Sequence, residues 1–518
     1  MREANMPFRS YTEVVSAYPD SPAVIHHNHR AASYQKLLSL VNAIAAGLIE
    51  QGLRCGDRIL LHSGNRIELI ASYYACLATG AIFVPISPQL SNKDISRIIA
   101  DSGARFYLGD VTRYTANQQA IDDASTLEGR WVVGQALPPG QALPWRSLLH
   151  PHVHFSPPAL SPDLIACVFY APTTTGELEG FAFSRTDIST MMKIIRSIMA
   201  LSVKATSTAP FYSMVDAISP WSIQTSFASL SLHRPVILTD THDPHTVLNV
   251  LNTYQLSWVT GTPSNFNDLI VAARELDHVP VLSATACVSG GDACPLEIAQ
   301  RFHTTFGGHL QNSYGQTEQG CITIHHPDLT KASTPALGWP LPTTAIKIVA
   351  ESGEDGEVGE LFVRSPAKTA GLWTDNGIEP VYEDGWIPTG DLVRQHADGC
   401  LEALGRQKDL IKIAGYPVYP LEIEQEILRH PDIARAVVFA IPDIAKGESI
   451  IAMIETHRGE TLSSTAIKEY LANKIAHYKI PEQIMCVDTI SIVNNKISRR
   501  HIAREYLRSC DKEVRLLE

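Results

Sequence analysis

An α/β fold is predicted by three observations. Apolar strands alternate with amphipathic helices from the first turns of the chain to about Ile324, the pattern of βαβ units around a largely parallel sheet. From Ala345 the segments shorten into hairpins, with IKIV, GELFV and LEAL separated by ESGEDGEVG and HADG. At 518 residues the chain is also too long for one hydrophobic core, so a second domain is expected.

Taken in order, Leu37, Leu38, Val41, Ile44, Ala45 and Leu48 recur at helical spacing after Ser33. Gly52, Gly56 and Asp57 break that helix, and Arg58-Ile-Leu-Leu-His62 reads as a buried strand. A helix from about Glu68 to Ala78, closed by Gly80, leads to the strand Ala81-Ile-Phe-Val-Pro85. The stretch from Ala136 to Pro162 is rich in Pro and His and reads as an irregular surface connection. His150, His152 and His154 alternate within it, but no Cys or acid stands beside them, so a solvated loop is expected rather than a metal site. Strand Ile165-Ala-Cys-Val-Phe-Tyr170 then runs into a Thr-rich turn. After Gly405 come helices near Leu421 to Arg429 and Ser464 to Lys474, with strand Ala436-Val-Val-Phe-Ala440 between them. The boundary is placed at a hinge near Arg406 to Asp409, giving domains 1–405 and 406–518.

Composition excludes several classes. A net charge of −12 argues against a sequence-independent grip on nucleic acid, so an anionic substrate would need locally placed donors. The nine cysteines form no CxxC pair, which disfavours a zinc site or disulfide framework and suits a reducing cytoplasm. The start MREANMPFRSYTEVV lacks a signal-peptide pattern, and no apolar run reaches the ~18 residues of a membrane span.

Five short segments carry chemistry. Tyr170-Ala-Pro-Thr-Thr-Thr-Gly-Glu-Leu-Glu-Gly180 follows a buried strand and offers hydroxyls and backbone N–H groups suited to a phosphate chain. Val288-Ser-Gly-Gly-Asp292 contains a glycine pair that lets backbone approach a flat ring. Gln311-Asn-Ser-Tyr-Gly-Gln-Thr-Glu318 combines a tight turn, an aromatic face, a hydroxyl and a hard oxygen ligand. The last two are Thr389-Gly390-Asp391 followed by GRQKDLIKIAG and PLEIE, and Asn494-Asn-Lys-Ile-Ser-Arg499. Each alone reads as an ordinary turn.

Together and in this order they resemble the motifs of the adenylate-forming superfamily, which includes acyl-CoA synthetases, peptide-synthetase adenylation domains and luciferases. The resemblance runs from the SYQKL helix to NNKISRR and is densest at Gly405 to Gly415. It implies a large N-terminal domain of layered sheets and helices, and a small mobile α+β C-terminal domain. It implies ATP and Mg²⁺, and activation of a small carboxylic acid as an acyl-adenylate with release of pyrophosphate. Thr173, Thr174, Thr175 and Gly176 would hold the β- and γ-phosphates, and Gly290 and Gly291 would lie against adenine. Tyr314 would face the purine, Thr317 would reach the α-phosphate, and Glu318 would bind the metal. Asp391 would accept the ribose hydroxyls. Arg406 would contact ribose or phosphate, and Lys408 would mark the pivot of the small domain. Lys496 would bridge the substrate carboxylate and the α-phosphate, although Asn495 stands where the family has glycine. Gly415 and Tyr416 would line the acceptor tunnel.

The phosphate loop departs from the family pattern, with Glu179 where a lysine is usual, Leu178 for proline, Pro172 for serine and Thr173 for glycine. Like charges ~4 Å apart repel by ~4 kcal/mol at an effective dielectric of about 20, so Glu179 is expected to face solvent or the loop to bind ATP differently. No carrier segment follows Lys496, so CoA or the phosphopantetheine of a separate carrier protein is the expected acceptor, with amide formation open. Near Ser213 many acyl- and aryl-CoA ligases have a histidine. Asp216 could instead match the aspartate that grips an amino-acid ammonium. The function expected is an acid–thiol ligase. The alternatives are a stand-alone amino-acid adenylating enzyme and a weakly active binder of nucleotide or acyl ligands, motivated by Glu179.

Overall fold

A computed structural model describes residues 6–27, 30–134, 140–150, 155–172, 178–202, 208–324, 336–382, 384–413, 416–443, 447–457, 462–491 and 499–517. Two large sheets form the N-terminal domain, one of 13 strands and one of nine. In the nine-stranded sheet, Arg58–His62 lies between the parallel strands Ile82–Pro85 and Phe106–Asp110. In the other, six parallel strands end with Trp258–Gly261, Ala286–Gly290 and Leu310–Gln316, and antiparallel hairpins continue the sheet.

Local chemistry accounts for the elements that carry this frame. Tyr34–Glu50 is a helix whose N-cap Ser33 accepts from the Lys36 N–H at 3.3 Å, and Leu37, Val41, Ile44, Ala45 and Leu48 are buried along one stripe. Ile67–Thr79 is buried on every side and therefore apolar all round; it ends at Gly80, whose φ of +82° admits the left-handed cap. Between Ala136 and Pro162 the chain is not wholly irregular. Leu143–Pro144 pairs with the nine-stranded sheet and Trp145–Ser147 forms a 3-10 turn. His150 faces Glu50 at 2.8 Å, whereas His152 and His154 lie outside the described residues.

Beyond the 3-10 turn Gln407–Asp409 the chain builds a small α+β C-terminal domain. Ile433–Asp443, Gly447–Thr456 and Gln483–Cys486 form a three-stranded sheet, packed by helices Pro420–Leu428, Ser464–Ala472 and Arg499–Leu517. Its apolar cluster around Ile423, Val438 and Ile454 contains no residue of the large domain. Among the described residues no helix is long and apolar enough to cross a membrane.

One buried group gives the fold a pH dependence. His62 is fully buried with its Nδ1 3.2 Å from the Tyr107 hydroxyl, and burial, then the Arg113 charge, push its pKa down to about 4. The unfolded chain binds that proton near the ordinary 6.5. The stability conferred by the neutral imidazole is therefore complete above pH 6.5 and is lost as pH falls toward 4. Urea unfolding is expected to show a His62 contribution whose slope is small at pH 7 and steepens toward about 1.4 kcal/mol per pH unit near pH 5, and which His62→Gln removes.

Candidate active site

The site forms where strand Leu310–Gln316 leaves the parallel part of the 13-stranded sheet and meets the hairpin Ile387–Gln395 and Leu401–Arg406. Gly315 sits opposite Cys321 in a tight antiparallel return, and a Cβ at 315 would run into the Gly320 carbonyl oxygen. The turn after it, Thr317 to Gln319, is pinned from outside, since the Thr369 N–H donates to the Glu318 carbonyl at 2.7 Å. Both Thr317 and Glu318 are half-buried at that edge.

Asp391 is the centre of the arrangement. Its Oδ2 accepts from the Tyr314 hydroxyl at 2.5 Å and from Gln316 Nε2 at 2.9 Å, while Arg406 Nε pairs with Oδ1 at 2.7 Å. Thr389 fixes the loop: its Oγ1 accepts from the Asp391 N–H at 3.1 Å and donates to the Leu361 carbonyl. Gly390 between them takes φ of +66°. Burial, and then the Asp391 charge, push the Tyr314 phenol well above its ordinary pKa, so it stays a donor to the carboxylate. The Tyr314 ring itself packs against the cluster of Ile322, Leu337 and Val393. Three donors thus orient one carboxylate that is itself largely buried.

The glycine pair closes the next strand end. Gly291 has φ of +84°, where a side chain is strained. Gly290 has a packing reason instead: a Cβ there would lie 2.6 Å from the Trp221 ring and 2.9 Å from the Ser313 carbonyl oxygen. Gly290→Ala is expected to cost about 1–3 kcal/mol through this overpacking, read from the urea midpoint, and to lower activity by shifting the strand that carries Tyr314.

Asp216 follows strand Phe211–Ser213, and its Oδ1 lies 3.4 Å from His242 Nε2. Burial alone would raise its pKa, but His242, Arg113 and Asn65 outweigh that and hold it below the usual carboxylate range. Asn65 ties the group together, with Nδ2 2.9 Å from His242 Nε2 and Oδ1 accepting from the Ala217 N–H at 2.7 Å. Ser213, Val215, Ser222, Asn65 and His242 line a small cavity there.

Lys408 lies in the 3-10 turn, its ammonium lowered by partial desolvation and then by the Arg406 charge. Tyr416 is 63% exposed, its ring 5.5 Å from that of Tyr478. Glu179 is half-buried on strand Leu178–Ser184, opposite Ala171. Thr173, Thr174, Thr175, Gly176, Gly415 and Lys496 lie outside the described residues. Gln316, Thr369 and His242 were not expected from sequence, because each acts through a partner distant in the chain. For Mg²⁺, no group of three or more His, Cys, Asp or Glu able to hold a metal ion occurs among the described residues. A single carboxylate such as Glu318 fits an ion that takes most of its remaining ligands from phosphates and water.

The AMP-binding enzyme family matches residues 11–373, and the AMP-binding enzyme C-terminal domain matches 422–495. The crystal structure of coronafacic acid ligase from Pectobacterium brasiliense is 38% identical, with a TM-score of 0.79, 96% of this chain and 97% of that one being covered. A long-chain-fatty-acid–CoA ligase of Yersinia pestis is 25% identical over 528 residues, covering 94% of this chain and 92% of its own. An amide bond synthetase from Marinactinospora thermotolerans shares the fold, with a TM-score of 0.82 at 22% identity over 97% of this chain and 99% of that one.

Proposed function

The chain belongs to the AMP-binding enzymes of the adenylate-forming superfamily, and we propose that it activates a small carboxylic acid with ATP and then passes the acyl group to a thiol. The observation that carries this reading is the Asp391 carboxylate, held by Tyr314, Gln316 and Arg406 at the open ends of parallel strands, where α/β sheets bind nucleotides. In the first step a carboxylate oxygen of the acid attacks the α-phosphorus of ATP. The bond to the β-phosphate breaks, and pyrophosphate leaves with its electrons. In the second step a thiolate adds to the acyl carbonyl and AMP departs, leaving a thioester.

Each residue has a task in that sequence. Asp391 accepts from both ribose hydroxyls, while Gly290 and Gly291 border adenine, with Tyr314 beside it. Thr173, Thr174, Thr175 and Gly176 cradle the phosphates, and Glu179 makes that cradle less cationic than usual. Thr317 reaches the α-phosphate, and Glu318 would hold Mg²⁺, which supplies charge neutralisation at the phosphates. Arg406 and Lys496 oppose the negative charge that grows on the α-phosphate in the transition state. Lys408 marks the pivot of a 406–518 lid on a 1–405 body, and Gly415 with Tyr416 borders the acceptor path.

The acceptor favoured is CoA or carrier-protein phosphopantetheine, in keeping with the fatty-acid–CoA ligase relative. An amine acceptor is the second reading, supported by the shared fold of the amide bond synthetase. An amino-acid substrate is less favoured, because Asp216 already has the His242 ring 3.4 Å from its Oδ1. Pyrophosphate release, measured with ATP, Mg²⁺ and a panel of amino, aryl, cyclic and fatty acids, tests the reading. At least one non-amino acid is expected to respond. Silence across the panel with ATP still bound would instead favour a binding protein whose cradle is disabled by Glu179.

A further inference from the structure

We infer that Arg435, together with Asp268, is a positioning pair for the adenylating step, holding the small domain against the large-domain helix Pro263–Ala272. Arg435 lies near the start of the edge strand Ile433–Asp443 of the small domain and is 14% exposed at its side chain. Its guanidinium joins Asp268 on the large-domain helix Pro263–Ala272 and, at 2.5 Å, Glu455 of its own domain. One residue away, the buried Asn267 donates through Nδ2 to the Ala434 carbonyl at 3.4 Å. A second bridge, Arg429 Nε to Glu297, spans 3.1 Å to the neighbouring helix Leu296–Phe306.

These contacts lie along one flank, and the site end of the small domain follows from them. Arg499 pairs with Glu424 at 2.5 Å and with Asp409 at 3.5 Å, and Asp409 ends the 3-10 turn that directly follows Arg406, the partner of Asp391. Rotation of the small domain about residues 407–409 cannot leave Arg435 on Asp268, because the two belong to different domains.

The contact is also built to break. The apolar clusters of the two domains share no residue, so polar contacts, not a common core, set the orientation. Burial, and then the charges of Arg301 and Arg274 on the large-domain side, hold His457 down to about 4, so His457 adds no bridge. Asp268 is the carboxylate that meets Arg435 there, and a two-domain ion pair of this kind can be exchanged for water at each turnover.

This inference rests on the two-step reading above, and its test separates the two. Spin labels on an introduced ketone amino acid at positions 143 and 507, both exposed leucines, leave the nine native cysteines alone. Pulsed electron-electron resonance is expected to give one narrow distance in the otherwise unaltered chain with ATP and Mg²⁺. Asp268→Asn should broaden or shift it, whereas Asp268→Glu, which keeps the charge, should leave it narrow. An acid that releases pyrophosphate should do so at least fivefold more slowly in Asp268→Asn. The acyl transfer from its separately prepared adenylate should stay within twofold. A distance distribution unchanged by Asp268→Asn, or both steps slowed equally in a variant of unaltered melting temperature, would overturn the pair's role. Absence of pyrophosphate release from the unaltered chain would sink the functional reading, while the distance measurement would still decide the inference.

Discussion

Asp391→Asn is expected to weaken ATP binding by roughly 10- to 100-fold, because hydrogen bonds to a charged group are worth about 1.5–3 kcal/mol and here an ionised acceptor becomes a neutral amide. The amide keeps the shape of the carboxylate but replaces one acceptor with a donor. If the amide nitrogen takes the Oδ2 position, it faces the Tyr314 hydroxyl and Gln316 Nε2, which are also donors. If it faces the other way, Arg406 loses its partner. Arg406 is 42% exposed at its side chain, so water replaces much of that pair and the fold should lose little stability. Calorimetric titration with ATP, alongside the melting temperature, checks both halves. An unchanged affinity would remove Asp391 from the nucleotide site.

Lys496→Ala is expected to slow pyrophosphate release by about 10²–10³-fold, the usual cost of deleting one donor aimed at developing negative charge. The reason is chemical. The attack of a carboxylate on a triphosphate brings two anions together, and charge rises further on the α-phosphate as the new bond forms. A role confined to the phosphate predicts a melting temperature within about a degree of that of the unaltered chain. Transfer of the acyl group from a prepared adenylate should be spared, since that step does not form the phosphorus–oxygen bond. Equal loss in both steps would assign Lys496 a structural role instead.

Local pattern made most of the elements legible. The stripe from Leu37 to Leu48, the all-apolar helix before Gly80 and the run Arg58 to His62 each state their structure in a few residues, because helix caps and burial periodicity act over short spans. The same holds for the candidate site where a motif is contiguous, as in the turn Tyr314 to Glu318 or the TGD loop. What the chain does not spell out is who meets whom. Tyr314 and Gln316 reach Asp391 across 77 and 75 positions, and Asp268 meets Arg435 across 167. Such pairs follow from sheet order and domain placement, which periodicity does not encode. The expected reason for Gly290, room for adenine, also missed the Trp221 ring that packs against it. Between Ala136 and Pro162 the Pro-rich composition hid a two-residue strand and a 3-10 turn, both too short to carry a period.

The most direct test of the central claim is to follow oxygen-18 from a doubly labelled carboxylic acid that supports turnover with ATP. Attack on the α-phosphorus predicts that one labelled oxygen appears in AMP and none in the released pyrophosphate, as mass spectrometry of the products will show. Label in orthophosphate, with ADP as the other product, would mean attack at the γ-phosphate and would contradict the adenylate account.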